Sequence, residues 1–486
     1  MVTPTTPDLA ERARGPLRRV DPAIVALTAL AFALGSYRLG TKSMWLDEAV
    51  SADHARLGLH GLWTVVSHTD PNMGLYYVLL HFWVRVFGYS EAAVRSMTVV
   101  LAGLAVPVMV LLGKRLFGRT CGLVAGLLLA LSPFFVQYEQ TARSYAVVVL
   151  LVLLSSYFFV TALEKPSRAT LFGYVLASTL AIYTHYFAAF VLMVQLFTLI
   201  VVKRRGALAS RWLAVATAVV VLCAPEVVFA HRAGTGGISW IHEPTLSTLI
   251  HFPADLAGET ILAGILVVLA CYGLAHAVIN QREWKMGFVI AWLVVPVVLV
   301  FAASKLGHPL FVTYYLIIVL PAFLLLAAAG VASLSRRAPA VIAVGLLVAF
   351  SAVGIRDWYT RPSLENYRGA TRHIVKGQRH GDGIVDYPAK TASYGIAYYE
   401  ALSAAPGLTP VGFRLGSGPL ARPPRIWLVI RNADVPTREE HQVRSSMSAQ
   451  YEQIGTPTEL IGLTVILYRL RTTPQHDGPR QSGIEM

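Results

Sequence analysis

The feature that most constrains this chain is the recurrence of apolar runs of membrane-spanning length. Crossing about 30 Å of hydrocarbon takes about 17 to 25 helical residues. Runs of that kind stand near 22–39, 92–113, 120–138, 144–163, 170–186, 188–202, 212–230, 260–279, 287–303, 310–330 and 338–354. The run at 188–202 is short, with a soft boundary to the one before. In lipid every backbone N–H and C=O must be satisfied within the segment, so such runs fold as helices. Composition agrees: 55% of the 486 residues are hydrophobic and only 14% charged, against about 25% charged in an ordinary soluble domain. The expected fold class is an all-α polytopic membrane protein of about eleven transmembrane helices, so its first partner is the bilayer.

The formal net charge is +14, but the basic residues fall in short runs between apolar segments. That is a topology signal and argues against nucleic acid as a partner. If the N-terminus is cytoplasmic, the inside segments carry Arg12, Arg14, Arg18 and Arg19; Lys114, Arg115 and Arg119; Lys165 and Arg168; Lys203, Arg204, Arg205 and Arg211; Arg282 and Lys285; and Arg336 and Arg337. The short outside loops hold little beyond Arg143, Arg232 and Lys305. The bias predicts a cytoplasmic N-terminal tail (1–21) with no cleaved signal. An odd number of spans then puts the C-terminal part outside, in the cell membrane.

The transmembrane domain is expected over 22–354, with long outside loops at 40–91 and about 231–259. Within the first, 75–87 (LYYVLLHFWVRVF) reads as an interfacial helix. After about Gly354 polar residues, Pro and Gly become common. A helix at 366–378, a strand at 383–388, a helix near 391–402, a strand at 425–430, a helix at 437–449 and a strand at 462–469 are expected. Helices alternating with short apolar strands indicate a small α/β domain over 355–471, followed by a disordered tail, 472–486. Cys121, Cys223 and Cys271 each lie in apolar sequence without a CxxC pattern, which argues against a disulfide or zinc site.

Polar residues gather at the outer ends of the apolar runs. Asp47 and Glu48, in SMWLDEAVSADHARLG, follow the first run; they read either as a solvated loop pair or as working carboxylates. His68, Asp70 and Asn72 precede the interfacial helix; Asp70 before Pro71 serves either as a helix cap or in a second polar cluster. In QYEQTARSYAV, Glu139, Gln140, Arg143 and Tyr145 meet the membrane surface. Arg143 opposes the positive-inside trend. It either snorkels or binds a lipid phosphate. His185 lies between Tyr183 and Tyr186, where a His among aromatics is commonly a satisfied interfacial residue. Lys305, His308, Tyr314 and Tyr315 mark a further outside turn. Chemistry on one side reads as an active site open to the exterior. A transporter would place charges at mid-bilayer and duplicate its halves. Here Glu226 is the main mid-span charge and no repeat is visible. A non-enzymatic membrane scaffold is the other competing class.

Five stretches, WLDEAVS, DPNMGLYYVLLHFWVRVFGYSEAAVRS, GKRLFGRTCGLVAGLLLALSPFFVQYEQTARSYA, YTHYF and YYLIIVLPAFLLLAA, resemble in order and spacing the GT-C fold glycosyltransferases that use polyprenyl-phosphate sugars. The likeness is to the glycosyltransferase 39-like group, which holds protein O-mannosyltransferases and aminoarabinose transferases. ENYRGATRHIV, opening the C-terminal domain, is similar to bacterial members. The resemblance implies an inverting transfer of a monosaccharide, mannose first and arabinose second, from a polyprenyl-phosphate donor. The acceptor would be an envelope glycolipid, polysaccharide or secreted protein. It implies Asp47 as general base with Glu48 beside it, Arg143 on the donor phosphate, and His185 lining the same cavity; the polar clusters add His68, Asp70, Asn72, Gln140 and Tyr145 as candidate substrate ligands. The chain departs from the family where many relatives have His-Pro-Pro (here Asp70-Pro71-Asn72-Met73) and Arg-Tyr (here Tyr314-Tyr315). Lys305 and His308 remain as further phosphate ligands beside those tyrosines. No cofactor is implied with certainty; a divalent metal at Glu48 is the one candidate.

Overall fold

The computed structural model describes residues 21–202, 207–234, 240–279, 283–388, 391–403, 407–432 and 437–471. The expected N-terminal tail up to Val20, the disordered tail 472–486, and the basic residues Lys203, Arg204, Arg205 and Arg282 lie outside them. The chain forms two compact units. One comprises 1–39, 59–79 and 95–360; the other comprises 40–58, 80–94 and 361–486.

In chain order the first helices are α1 (Pro22–Ser36), α2 (Leu46–Arg56), α3 (Leu59–Thr64), α4 (Gly74–Phe87), α5 (Glu91–Gly103) and α6 (Ala105–Phe117). They are followed by α7 (Arg119–Ala130), α8 (Pro133–Glu139), α9 (Tyr145–Glu164), α10 (Arg168–Thr184), α11 (Ala188–Val201) and α12 (Ala207–Ala233). Then come α13 (Leu246–Ala257), α14 (Thr260–Ile279), α15 (Glu283–Lys305), α16 (Leu320–Ala332) and α17 (Arg337–Thr360). Every expected apolar run contains helix, although 310–314 is not helical and breaks separate α5 from α6 and α7 from α8. Among the described residues, however, seven helices are long and apolar enough to cross a membrane, or eight if α7 and α8, bent by 57°, form one span. The other three of the eleven expected runs form shorter helices. Helices α1, α10 and α11 have 15, 17 and 14 residues, only about 21–26 Å of rise.

Lipid offers no hydrophobic drive between helices, so close packing and internal hydrogen bonds hold the bundle. Where α14 meets α16, a Cβ on Gly273 would stand 2.6 Å from the Gly330 nitrogen. Where α6 meets α7, a Cβ on Gly113 would stand 2.8 Å from the Gly122 Cα. Only glycine allows either approach. Ser155 (α9), Ser178 (α10) and Gln195 (α11) share buried hydrogen bonds of 2.9–3.3 Å. The Trp292 indole on α15 donates to the Ile318 carbonyl at 2.8 Å, in the 3₁₀ turn Tyr315–Val319 that leads into α16.

The second unit carries α18 (Tyr367–Gly377), β1 (Gly383–Tyr387), α19 (Thr391–Ser403), β2 (Thr409–Pro410), β3 (Phe413–Arg414), β4 (Gly418–Pro419), β5 (Arg425–Arg431), α20 (Thr437–Ser448), β6 (Tyr451–Leu460) and β7 (Leu463–Leu470). The main sheet runs β2-β1-β5-β7-β6. β1 is parallel to β2 and β5, while β7 is antiparallel to β5 and β6. β5, RIWLVIR, is apolar between its terminal arginines, and these five residues are buried on both faces. Ile426, Leu428 and Ile430 join Val443 and Met447 of α20 in one core. Trp427 points the other way and meets His373 of α18, with ring centroids 5.8 Å apart. The six elements expected for this region coincide with α18, β1, α19, β5, α20 and β7. The strand β6 and the short β2, β3 and β4 were not foreseen.

Candidate functional site

The two carboxylates of the LDE motif fall in the first turn of α2, where acidic side chains are favoured by the helix dipole. The residue before the helix, Trp45, has no side-chain acceptor to cap it. Its own N–H donates to Glu48 Oε2 at 3.4 Å, and Glu48 is 2% exposed. The next N–H, of Leu46, donates at 2.6 Å to Glu365 Oε2, from the segment before α18. The other oxygen of Glu365 accepts from Arg431 Nε at the end of β5. Burial holds the Glu365 carboxyl above its ordinary range; Arg431 pulls it back down, and the negative charge of Asp47 adds to the rise. Asp47 itself is half-buried.

The backbone leading into α2 is fastened by the same unit. Met44 N–H donates to Tyr399 Oη at 2.8 Å, and Tyr399 donates to Glu91 Oε1 at 2.8 Å. Ser43 N–H donates to Ser363 Oγ at 2.8 Å. The Arg368 guanidinium pairs with Glu91 and donates to the carbonyls of Gly40 and Thr41 at 2.9 and 3.0 Å. Glu365, Arg431, Arg368 and Tyr399 were not singled out by sequence reasoning; ENYRGATRHIV signalled the segment but no role.

In the other unit, the turn between α8 and α9 presents Arg143, only 8% exposed. Its guanidinium donates to Tyr77 Oη at 3.2 Å and to Tyr145 Oη at 3.5 Å. Tyr77 in turn donates to Asp70 Oδ2 at 2.5 Å, so a relay through one hydroxyl links the arginine to a carboxylate. Around it stand aromatic rings: Tyr145 lies 4.9 Å from Tyr314, 6.1 Å from Tyr315 and 5.9 Å from His185 between centroids. A guanidinium in such low-dielectric surroundings is suited to a phosphate or carboxylate. Beside this group, Tyr186 N–H donates to Asn72 Oδ1 at 2.9 Å, and Tyr186 Oη donates to Glu226 Oε2 at 3.0 Å. Asp70, Asn72, Arg143, Tyr145, His185, Tyr314 and Tyr315 are thus neighbours here. Tyr77 and Tyr186, which tie them together, were overlooked because tyrosines near a membrane surface are commonplace.

Lys305 pairs with Glu243 at 2.8 Å in an exposed position, and His308 is exposed. His68 is exposed and hydrogen-bonded to Ser67. Gln140, expected as a substrate ligand, is bonded to the end of α1. Its amide nitrogen donates to the carbonyls of Leu34, Gly35 and Tyr37 at 3.3, 3.0 and 2.7 Å, and its oxygen accepts from the Trp358 indole at 2.8 Å. It satisfies the C-terminal carbonyls of α1, which a helix leaves open. Next to it Glu139 is wholly buried, with no hydrogen-bond partner for either carboxylate oxygen among the described residues. It packs where α1 has Gly35.

Around Glu48 the side chains available to a divalent metal are few. No group of three or more His, Cys, Asp or Glu side chains able to hold one exists among the described residues, and one Glu48 oxygen is engaged by the backbone.

A family model described as dolichyl-phosphate-mannose-protein mannosyltransferase matches residues 71–229. No curated protein sequence matches the chain. Among solved structures the chain is similar to ArnT from Cupriavidus metallidurans, both in the apo state and bound to undecaprenyl phosphate. The TM-score is 0.63 at 12% identity, covering 91% of this chain and 97% of that one. It is also similar to the oligosaccharyltransferase AglB from Archaeoglobus fulgidus, in complex with an inhibitory peptide and a dolichol-phosphate (TM-score 0.53, 10% identity, 94% and 75% covered). A third likeness is to the arabinofuranosyltransferase AftD from Mycobacteria (TM-score 0.52, 16% identity, 93% and 41% covered). The chain has the GT-C fold that these proteins share.

Proposed function

We propose that this protein is a membrane glycosyltransferase that moves a monosaccharide from a polyprenyl-phosphate donor to an acceptor hydroxyl on the extracytoplasmic face of the cell membrane. The observation that carries this reading is the fold match to ArnT over nearly the whole of both chains. The ArnT structure with undecaprenyl phosphate and the AglB structure with dolichol-phosphate support a polyprenyl-phosphate donor. Mannose is the first sugar to test, on the matched family model, and arabinose the second, on the likeness to AftD. The acceptor is an envelope glycolipid, polysaccharide or secreted protein.

The chemistry needs little. A sugar on a lipid phosphate carries its own good leaving group, so no general acid is required. The acceptor hydroxyl must lose its proton as it attacks the anomeric carbon, and one positioned carboxylate suffices. We assign that role to Asp47. The acceptor oxygen bonds to the anomeric carbon as the bond to the phosphate oxygen breaks. The electron pair leaves with the phosphate, the proton goes to Asp47, and configuration inverts. Arg143 stabilises the charge that develops on the phosphate.

The test is purified protein in nanodiscs with radiolabelled polyprenyl-phosphate mannose or arabinose and an envelope fraction as acceptor. Transfer of label with release of polyprenyl phosphate is expected. Asp47→Asn should lower turnover about 10²-fold or more, the scale of general base catalysis, with donor binding retained. No transfer from any polyprenyl-phosphate sugar would overturn the function, and near-normal turnover in a folded Asp47→Asn variant would remove Asp47 from the mechanism.

A further inference from the structure

The start of α2 has an unusual construction. A helix normally caps its own first turn with the residue just before it, and here that residue is Trp45, which cannot accept. Glu48 from the first turn takes the Trp45 N–H. The Leu46 N–H is taken by a carboxylate 319 residues away, Glu365, at 2.6 Å. Glu365 is 3% exposed. Burying a carboxylate is costly unless it is paired and hydrogen-bonded, and Glu365 has both, through Arg431 and the Leu46 amide. The strap that carries it runs along the incoming chain. Ser363 accepts from Ser43 N–H, and Ser43 Oγ accepts from Arg368 N–H at 3.2 Å. The residue following Leu46 is Asp47.

We infer that Glu365, anchored by Arg431, is a positioning residue for Asp47: it caps α2 from the C-terminal segment and so fixes the turn that carries the neighbouring carboxylate. This rests on the reading of Asp47 as the base. The charged and titratable groups around this terminus are Glu48 on the first turn of α2, Glu365 and Arg368 on the strap, Arg431 at the end of β5, and Glu91 with Tyr399 of α19. Arg368 is matched to Glu91 and Arg431 to Glu365. Asp47 and Glu365 repel each other as like charges, and removing one such charge eases ionisation of the other.

The experiment has two arms. Hydrogen exchange followed by mass spectrometry, on the full protein in nanodiscs, reads the amides of 43–56. Glu365→Ala should speed exchange there, and Glu365→Gln, whose amide oxygen still accepts from Leu46, should do so less. The pH profile of kcat/KM reads the base. Glu365→Gln should move its acid limb down by roughly half a pH unit or more and lower kcat severalfold, with the donor KM unchanged. Glu365→Asp, which keeps the charge, should leave the limb in place. Unchanged exchange in Glu365→Ala overturns the cap. Altered exchange with an unmoved limb in Glu365→Gln reduces Glu365 to a structural role and overturns the inference. Wild-type protein without transfer on any donor overturns the transferase reading and with it the effect on Asp47, while the exchange arm still decides the cap.

Discussion

At the scale of single residues, two neighbours in QYEQTARSY have opposite fates. Arg143 is buried among Tyr77, Tyr145 and their partners, its guanidinium linked through a hydroxyl to Asp70. Lysine there would keep the charge but lose the planar fork. A hydrogen bond to a charged group contributes about 1.5–3 kcal/mol, so Arg143→Lys should weaken polyprenyl-phosphate binding roughly tenfold or more, measured by competition with labelled donor. Unchanged affinity in Arg143→Ala would remove it from the phosphate site. Gln140, three residues earlier, acts on the fold. Its amide closes the end of α1 and receives Trp358. Gln140→Ala removes the donor to the buried Gly35 carbonyl, at about 1–3 kcal/mol for such a group. The variant should unfold at a lower temperature in detergent while its folded fraction binds donor normally. A stable variant that has lost donor affinity would return Gln140 to the substrate site. Both residues were visible in the sequence as polar groups at a membrane surface. Which one bonds helix ends and which faces a cluster of tyrosines depends on partners more than sixty positions away.

At the scale of elements, the bundle depends on close approach. Gly330 of α16 sits against the backbone of α14, where Leu269 and Gly273 leave no room for a side chain. Gly330→Leu forces the helices apart, and overpacking of this kind costs typically about 1–3 kcal/mol. The expected result is a lower melting temperature and more aggregate on size exclusion. A variant as stable as wild type would mean that the α14–α16 contact tolerates separation. The helices themselves were legible from hydropathy, because twenty apolar residues in a row have no other way to satisfy their backbone in lipid. What the apolar runs did not reveal was helix length: α1, α10 and α11 have 15, 17 and 14 residues. In the C-terminal region β5 and β7 were legible as apolar runs. β6 was not, because its exposed residues (Glu452, Gln453, Glu459) give an edge strand no hydrophobic signature.

At the scale of the whole molecule, the chain combines a helical membrane unit with an α/β unit that recruits two earlier segments, 40–58 and 80–94. The charge asymmetry predicts that the α/β unit is extracytoplasmic. Thr456 on β6 is exposed. In a background with Cys121, Cys223 and Cys271 replaced, Thr456→Cys should react with an impermeant maleimide in intact cells. Labelling only after lysis would reverse the topology.

The sequence by itself determined the class of solvent, the helices, the order of strand and helix in the C-terminal region, and the polar clusters at helix ends. These follow from local composition and period, which are properties of a contiguous stretch. Only the tertiary structure decided that the LDE helix belongs with the C-terminal unit, that Glu365 caps it, that Tyr77 joins Arg143 to Asp70, and that Gln140 is a fastening for α1. Each of those depends on a hydrogen bond between distant residues. A polar group announces in the sequence that it needs a partner when buried, but not which of many distant groups will supply it.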